Sequence, residues 1–278
     1  MNTWDPVKIQ HVPWYAAQQP VFEKLDGLDG WPSLLDYQRL LELQPQSILT
    51  AHGKPLHVVA QNTDKTTDWQ QSYEARIYLR GELQTRLGSW HDCFNLLTWI
   101  VFPRAKAALN ARQYDLLETR AGLPFATGTR SAAQDALTQF DESGVIVLCA
   151  DPALSNLLLN FQWKRLFWEN RAKVTSHMRC ILFGHGLMDR AQTPYPGLTG
   201  KGMVLPVAPD FFKQPPGEQA AQTDQRLAQV LSNPLSLSQP KDLAPLPFLG
   251  FPGFVPENTA AAYYDDQRYF RPGRSLKP

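Results

Sequence analysis

Between Ser89 and Ala111 the chain reads SWHDCFNLLTWIVFPRAKAALNA. Wound at 100° per residue, Cys93, Phe94, Leu96, Leu97, Trp99, Ile100 and Val101 cover most of a helix's circumference. His91, Asn95 and Thr98 fall together in one narrow sector. A helix this apolar has to be buried. Its polar stripe must then meet partners or line a cleft, because an unpaired buried polar group costs roughly 1–3 kcal/mol. A stripe that simply faces water satisfies the same pattern. Ser89 is a credible N-cap with Asp92 at the third helical position, and Pro103 ends the helix and suits the first position of a second, basic one.

The rest of the chain alternates helix and strand signals. Residues 32–43 have helical spacing and residues 56–60 form a short strand. Residues 73–79 alternate with period two, Tyr73, Ala75, Ile77 and Leu79 against Glu74, Arg76 and Tyr78. Across Gly81, Leu83, Thr85 and Leu87 continue the apolar face, which predicts a hairpin. Ser131 and Gln134 make a capping box, Gly144 suits a helix end, and residues 145–150 (VIVLCA) read as a buried strand. A helix is expected from Asp151-Pro152 to Arg171, another over 176–190, and a weaker one over 222–231.

Of 23 prolines, 14 fall from Pro194 onward. Proline fixes φ and donates no backbone hydrogen bond, so residues 191–278 are expected to be neither mostly helix nor central sheet. Their Phe, Leu and Tyr content argues against free disorder, which leaves an irregular arm wrapped on a body of about residues 20–190. The fold class is α+β, a single domain, mainly helical with a small mixed sheet.

Composition limits function. The 27 Lys+Arg against 26 Asp+Glu leave a net charge of +1, without a long-range pull toward nucleic acid or anionic lipid. Cys93, Cys149 and Cys180 sit in apolar contexts with no CxxC, which disfavours a disulfide framework or a Cys-based zinc site. The start lacks a basic region followed by an apolar run, and the apolar stretch 96–102 is far shorter than the ~20 residues of a membrane span. The expectation is a soluble, cytoplasmic, bacterial-type protein. HExxH, GxSxG and GxGxxG are absent, and GLTGKG at 197–202 has the wrong spacing for a phosphate loop.

Chemistry then rests on scattered residues. His91 and Asn95 come from the stripe, as base or ligand and as orienting amide. His185 is expected on an apolar helix face beside Met178, Ile181 and Leu182, between Gly184 and Gly186, whose presence suggests close backbone approach; a core histidine bonded to a carbonyl fits as well. Asp141 and Glu142 close a helix where carboxylates oppose the macrodipole. Being adjacent, at most one is expected to act at a shared site. Arg86, Arg104, Lys106 and Arg112 form a candidate anion site, since cations at a helix start need a negative group nearby; ion pairs with Glu74, Asp115 or Glu118 would also account for them.

Taken together, TRLGSWHDCFNLLTWIVFPRAKAALNA, ALTQFDESGVIV, LFGHGLM and PLPFLGFPGF…YYDDQRYFRPGR resemble a bacterial family known as domain of unknown function 3025, over about Tyr73 to Arg274. The resemblance implies one domain that includes the Pro-rich arm, and it assigns no catalytic residue. From the residues, the leading expectation is a hydrolase-like enzyme. His91, His185 and Glu142 or Asp141 would converge with Asn95, with His91, His185 and Asp141 as candidate ligands of a divalent metal, and Arg86, Arg104 and Lys106 would hold a small anionic substrate. The rival expectations are a non-enzymatic protein-binding domain presenting the Pro/aromatic arm, or nucleic-acid binding through Arg104, Lys106 and Arg112. Oligomeric state is not legible.

Overall fold

A computed structural model of the chain describes residues 3–62, 68–122 and 130–273. After the short helix α1 (Gln19–Phe22), Ser33 and Asp36 cap each other to open α2 (Leu34–Glu42). Strand β1 (His57–Ala60) follows, then α3 (Tyr73–Arg80) and β2 (Glu82–Thr85). Residues 73–79 are thus helix and not the first arm of a hairpin. Ala, Glu, Arg and Leu are good helix formers, only Ala75 and Ile77 are buried, and Gly81 ends the helix in a left-handed conformation at φ 77°. Glu82–Thr85 alone is extended, and it pairs parallel with β1.

The apolar helix is α4 (Trp90–Val101), with Ser89 accepting from the Asp92 N–H, and α5 (Pro103–Ala121) follows directly from Pro103. Helix α6 (Ala132–Ser143) opens on the Ser131–Gln134 capping box and runs into β3 (Gly144–Cys149), buried at every position. The segment expected as one helix from 151 to 171 is broken. Helix α7 (Pro152–Leu159) stops before Phe161, whose φ is 58°, a π-turn spans Arg165–Glu169, and α8 (Arg171–His177) resumes. The helix expected over 176–190 is instead strand β4 (Met178–Leu182) and short helix α9 (His185–Arg190). Burial of Met178, Cys180 and Leu182 follows period two, and Gly184 separates the elements.

The Pro-rich third also departs from expectation. Strand β5 (Gly200–Pro206) lies inside the four-stranded sheet, ordered β4-β3-β5-β6, with β6 at Ala244–Leu246. Residues 197–205 contain no proline, so the regional average misled at the one place where donors were needed. Strand β5 runs parallel to β3, while β4 and β6 run antiparallel to their neighbours. Helix α10 (Pro216–Ser232) exceeds the expected 222–231 and packs along α5. Only after β6 does the chain become a run of short turns, pinned by bonds such as Tyr269 Oη to Leu198 O and Asn258 Nδ2 to Phe251 O.

The two faces of β3 explain its unbroken apolar run. Val145, Val147 and Cys149 pack toward α4, the N-terminal segment and the aromatic turns of the C-terminal region; Ile146 and Leu148 pack toward α5, α6 and α10. No helix among the described residues is long and apolar enough to cross a membrane.

Candidate functional site

Three chain segments meet where α4 begins, α6 ends and α9 begins. His91 lies in the first turn of α4, Glu142 in the last turn of α6, and His185 is the first residue of α9. The glycines beside His185 permit this approach. A Cβ on Gly184 would collide with the backbone nitrogens of Ser143 and Gly144, and one on Gly186 with the Glu142 carboxylate. Glu142 Oε1 stands 3.5 Å from His185 Nε2 and 3.7 Å from His91 Nε2. The two rings meet edge-on with centroids 4.4 Å apart. One ligand-type atom from each residue lies within 4.8 Å of the others.

Asp141 reaches the same imidazole from the other side. Its Oδ2 is 3.9 Å from His185 Nδ1, a buried nitrogen without a hydrogen-bond partner among the described residues. Adjacent carboxylates thus flank one ring, contrary to the expectation that only one could aim at the site, because successive side chains on α6 point about 100° apart and His185 presents one ring nitrogen to each. Glu142, rather than Asp141, is the carboxylate grouped with both histidines. The other Asp141 oxygen accepts from Lys106 Nζ. Lys106, its side chain only 4% exposed, also donates to Asn95 Oδ1 at 3.0 Å, and Asn95 Nδ2 donates to Tyr73 Oη. Asn95 and Lys106 therefore brace the site from behind. Thr98, the last member of the stripe, bonds the Phe94 and Phe183 carbonyls and serves packing alone.

The group opens on a cavity of about 520 Å³ lined chiefly by polar side chains, among them Glu74, Arg86, Gln113, Arg120, Arg130 and Gln134. Arg86 is engaged by Asp92, at 3.0 and 2.8 Å. Arg104 is exposed and does not line the cavity. The negative group required at the start of α5 is Asp224 of α10, which accepts from the Arg104 and Ala105 backbone N–H groups at 3.2 and 2.8 Å. Arg112 is buried and caps the Leu231 and Pro234 carbonyls. Arg104, Lys106 and Arg112 thus form no common surface.

Electrostatics divide the cavity. The neighbouring His185 N–H, with charge from His185 and His91, draws the Glu142 carboxyl down to about 2, while burial and then the like charge of His185 push His91 below its ordinary value. Near neutrality Glu142 is ionised and His91 neutral, the states in which both donate lone pairs. Enclosure, with Asp141 nearby, pushes Glu74 up to about 7. Its Oε2 accepts from Asn110 Nδ2 at 2.6 Å.

Glu74, Tyr73, Arg120 and Arg130 escaped the sequence reading. For Arg120 the signal was the spacing Lys106, Asn110, Gln113, Leu117, Arg120 along α5, four and three residues alternately, which marks one helix face. A family model described as a protein of unknown function, DUF3025, matches residues 56–274. No curated protein and no solved structure matches the chain.

Proposed function

The chain belongs to the DUF3025 family, and from that premise we propose a hydrolase-like enzyme whose His91, Glu142 and His185 hold a divalent metal ion in a polar cavity that admits a small anionic substrate. The observation carrying this reading is the grouping of two imidazole nitrogens and a carboxylate oxygen from three separate segments. The fit is chemical. A tetrahedral ion with bonds of about 2.1 Å has ligand edges of about 3.4 Å, against 3.5 and 3.7 Å from Glu142 to the two rings and a spread within 4.8 Å for the whole group, which would close slightly around an ion. Two His and one carboxylate leave a fourth position free, the pattern of catalytic rather than structural zinc sites. His185 Nδ1, unpartnered among the described residues and 3.9 Å from Asp141 Oδ2, stands where a small ring rotation would let it give its N–H to that carboxylate, as ligating imidazoles usually do.

When bound, the ion would acidify water and polarise a substrate oxygen. The chain's own residues supply the remainder. Lys106 fixes Asp141 and Asn95, and Asp141 stands 3.9 Å from the His185 ring. Glu74 lines the same cavity and, near half-ionised at neutral pH, would take a proton from the attacking water and return it to the leaving group if substrate brings the water within its reach. The test is metal content. Protein purified without a His tag should take up close to one equivalent of zinc in calorimetry. Glu142→Gln and His185→Ala should each weaken that uptake about 100-fold, with secondary structure unchanged by circular dichroism. Uptake below about a tenth of an equivalent in the wild type would end the metal reading.

A further inference from the structure

The cavity has two chemically opposite ends. Lys106 near the start of α5 pairs with Asp141 near the end of α6, so the two helices run antiparallel along it. Arg120 lies fourteen residues further along α5, roughly 21 Å at 1.5 Å per residue. Its side chain leans back toward the helix start and closes part of that distance. Arg130, just before α6, lines the same cavity. Near the histidines each cation has its carboxylate: Lys106 has Asp141 and Arg86 has Asp92. At the far end neither Arg120 nor Arg130 makes an ion pair or side-chain hydrogen bond with a described residue, and residues 121–129 contain no Asp or Glu. Two guanidinium groups, Arg120 half-buried and Arg130 exposed, that line one cavity without a carboxylate partner among the described residues suit an oxyanion, which arginine binds in bidentate fashion.

We propose that Arg120 and Arg130 form an oxyanion subsite, and that the substrate is an elongated molecule bearing phosphate or carboxylate at the end remote from the bond handled by His91, Glu142 and His185. The subsite stands on its own geometry; the statement about the substrate rests on the metal-assisted reading above. Calorimetry on the full-length, metal-free protein tests it, with inorganic phosphate in one arm and acetate in the other. At least one anion should bind, and the Arg120→Gln/Arg130→Gln double variant should weaken it tenfold or more, the loss of roughly 1.4 kcal/mol. His185→Ala should leave that affinity within about twofold. Binding of phosphate alone assigns a phosphate terminus, and of acetate alone a carboxylate. No binding of either at about 10 mM, an unchanged affinity in the double variant, or binding that appears only with zinc would overturn the proposal. Loss of zinc uptake with phosphate binding intact would instead remove the metal reading and leave the subsite standing.

Discussion

Glu74 shows what a single side chain contributes. Its folded pKa of about 7 lies above the ordinary 4.5, so the folded state holds the proton more tightly than the unfolded chain. Its carboxyl is tolerated without penalty below pH 4.5, and stability is lost as pH rises from 4.5 through 7. Glu74→Gln keeps an acceptor for Asn110 and removes the titration. The stability difference between variant and wild type should therefore shift in favour of the variant by on the order of 2 kcal/mol between pH 4.5 and 8, measured by urea unfolding. A difference independent of pH would refute this. Glu74 was hidden because period-two alternation placed it on the polar face of a strand. His91 and His185 were conspicuous because apolar surroundings make an imidazole stand out, and the sequence could name them without placing them. What brings their rings together is Gly184 and Gly186 against the end of α6, a fit between distant segments that spacing does not encode.

At the scale of elements, local signals read well where the chain supplies its own caps. Ser89, Ser131 and Pro103 mark their helices in sequence and in structure. Where competing periods overlap, the reading failed. Residues 73–79 satisfy strand alternation and helix formation alike, and pairing of residues 178–182 with β3 overrides their helical spacing. The start of α5 is a third case. Arg104 and Lys106 signalled a missing negative group, but Asp224 lies about 120 residues away in sequence and arrives only through packing of α10. Asp224→Ala should cost about 1–2 kcal/mol by denaturant melting, the worth of a helix cap. Asp224→Asn, which retains one acceptor, should recover part of it. An Ala variant as stable as wild type would show that α5 needs no anion there.

For the whole molecule, the sheet ties early and late sequence together. The α+β class was legible from mixed helix and strand signals, whereas the sheet's order was not, since proline density hid β5. The chain cut after residue 199 would lose β5, α10 and β6, stripping β3 of its parallel neighbour and part of its cover. Such a fragment should melt without a cooperative transition; a sharp thermal transition near that of the full chain would contradict the architecture described.

The parallel contact of β3 with β5 also carries a cost in time. Strands β3 and β4 leave the ribosome ahead of β5, and until β5 arrives the wholly apolar β3 has one bare edge. Unpaired edges of this kind invite strands from other nascent chains. Synthesis of this protein therefore passes through a vulnerable stage that its finished form conceals, and crowding or slow translation between those two strands should set how much of it reaches the native state.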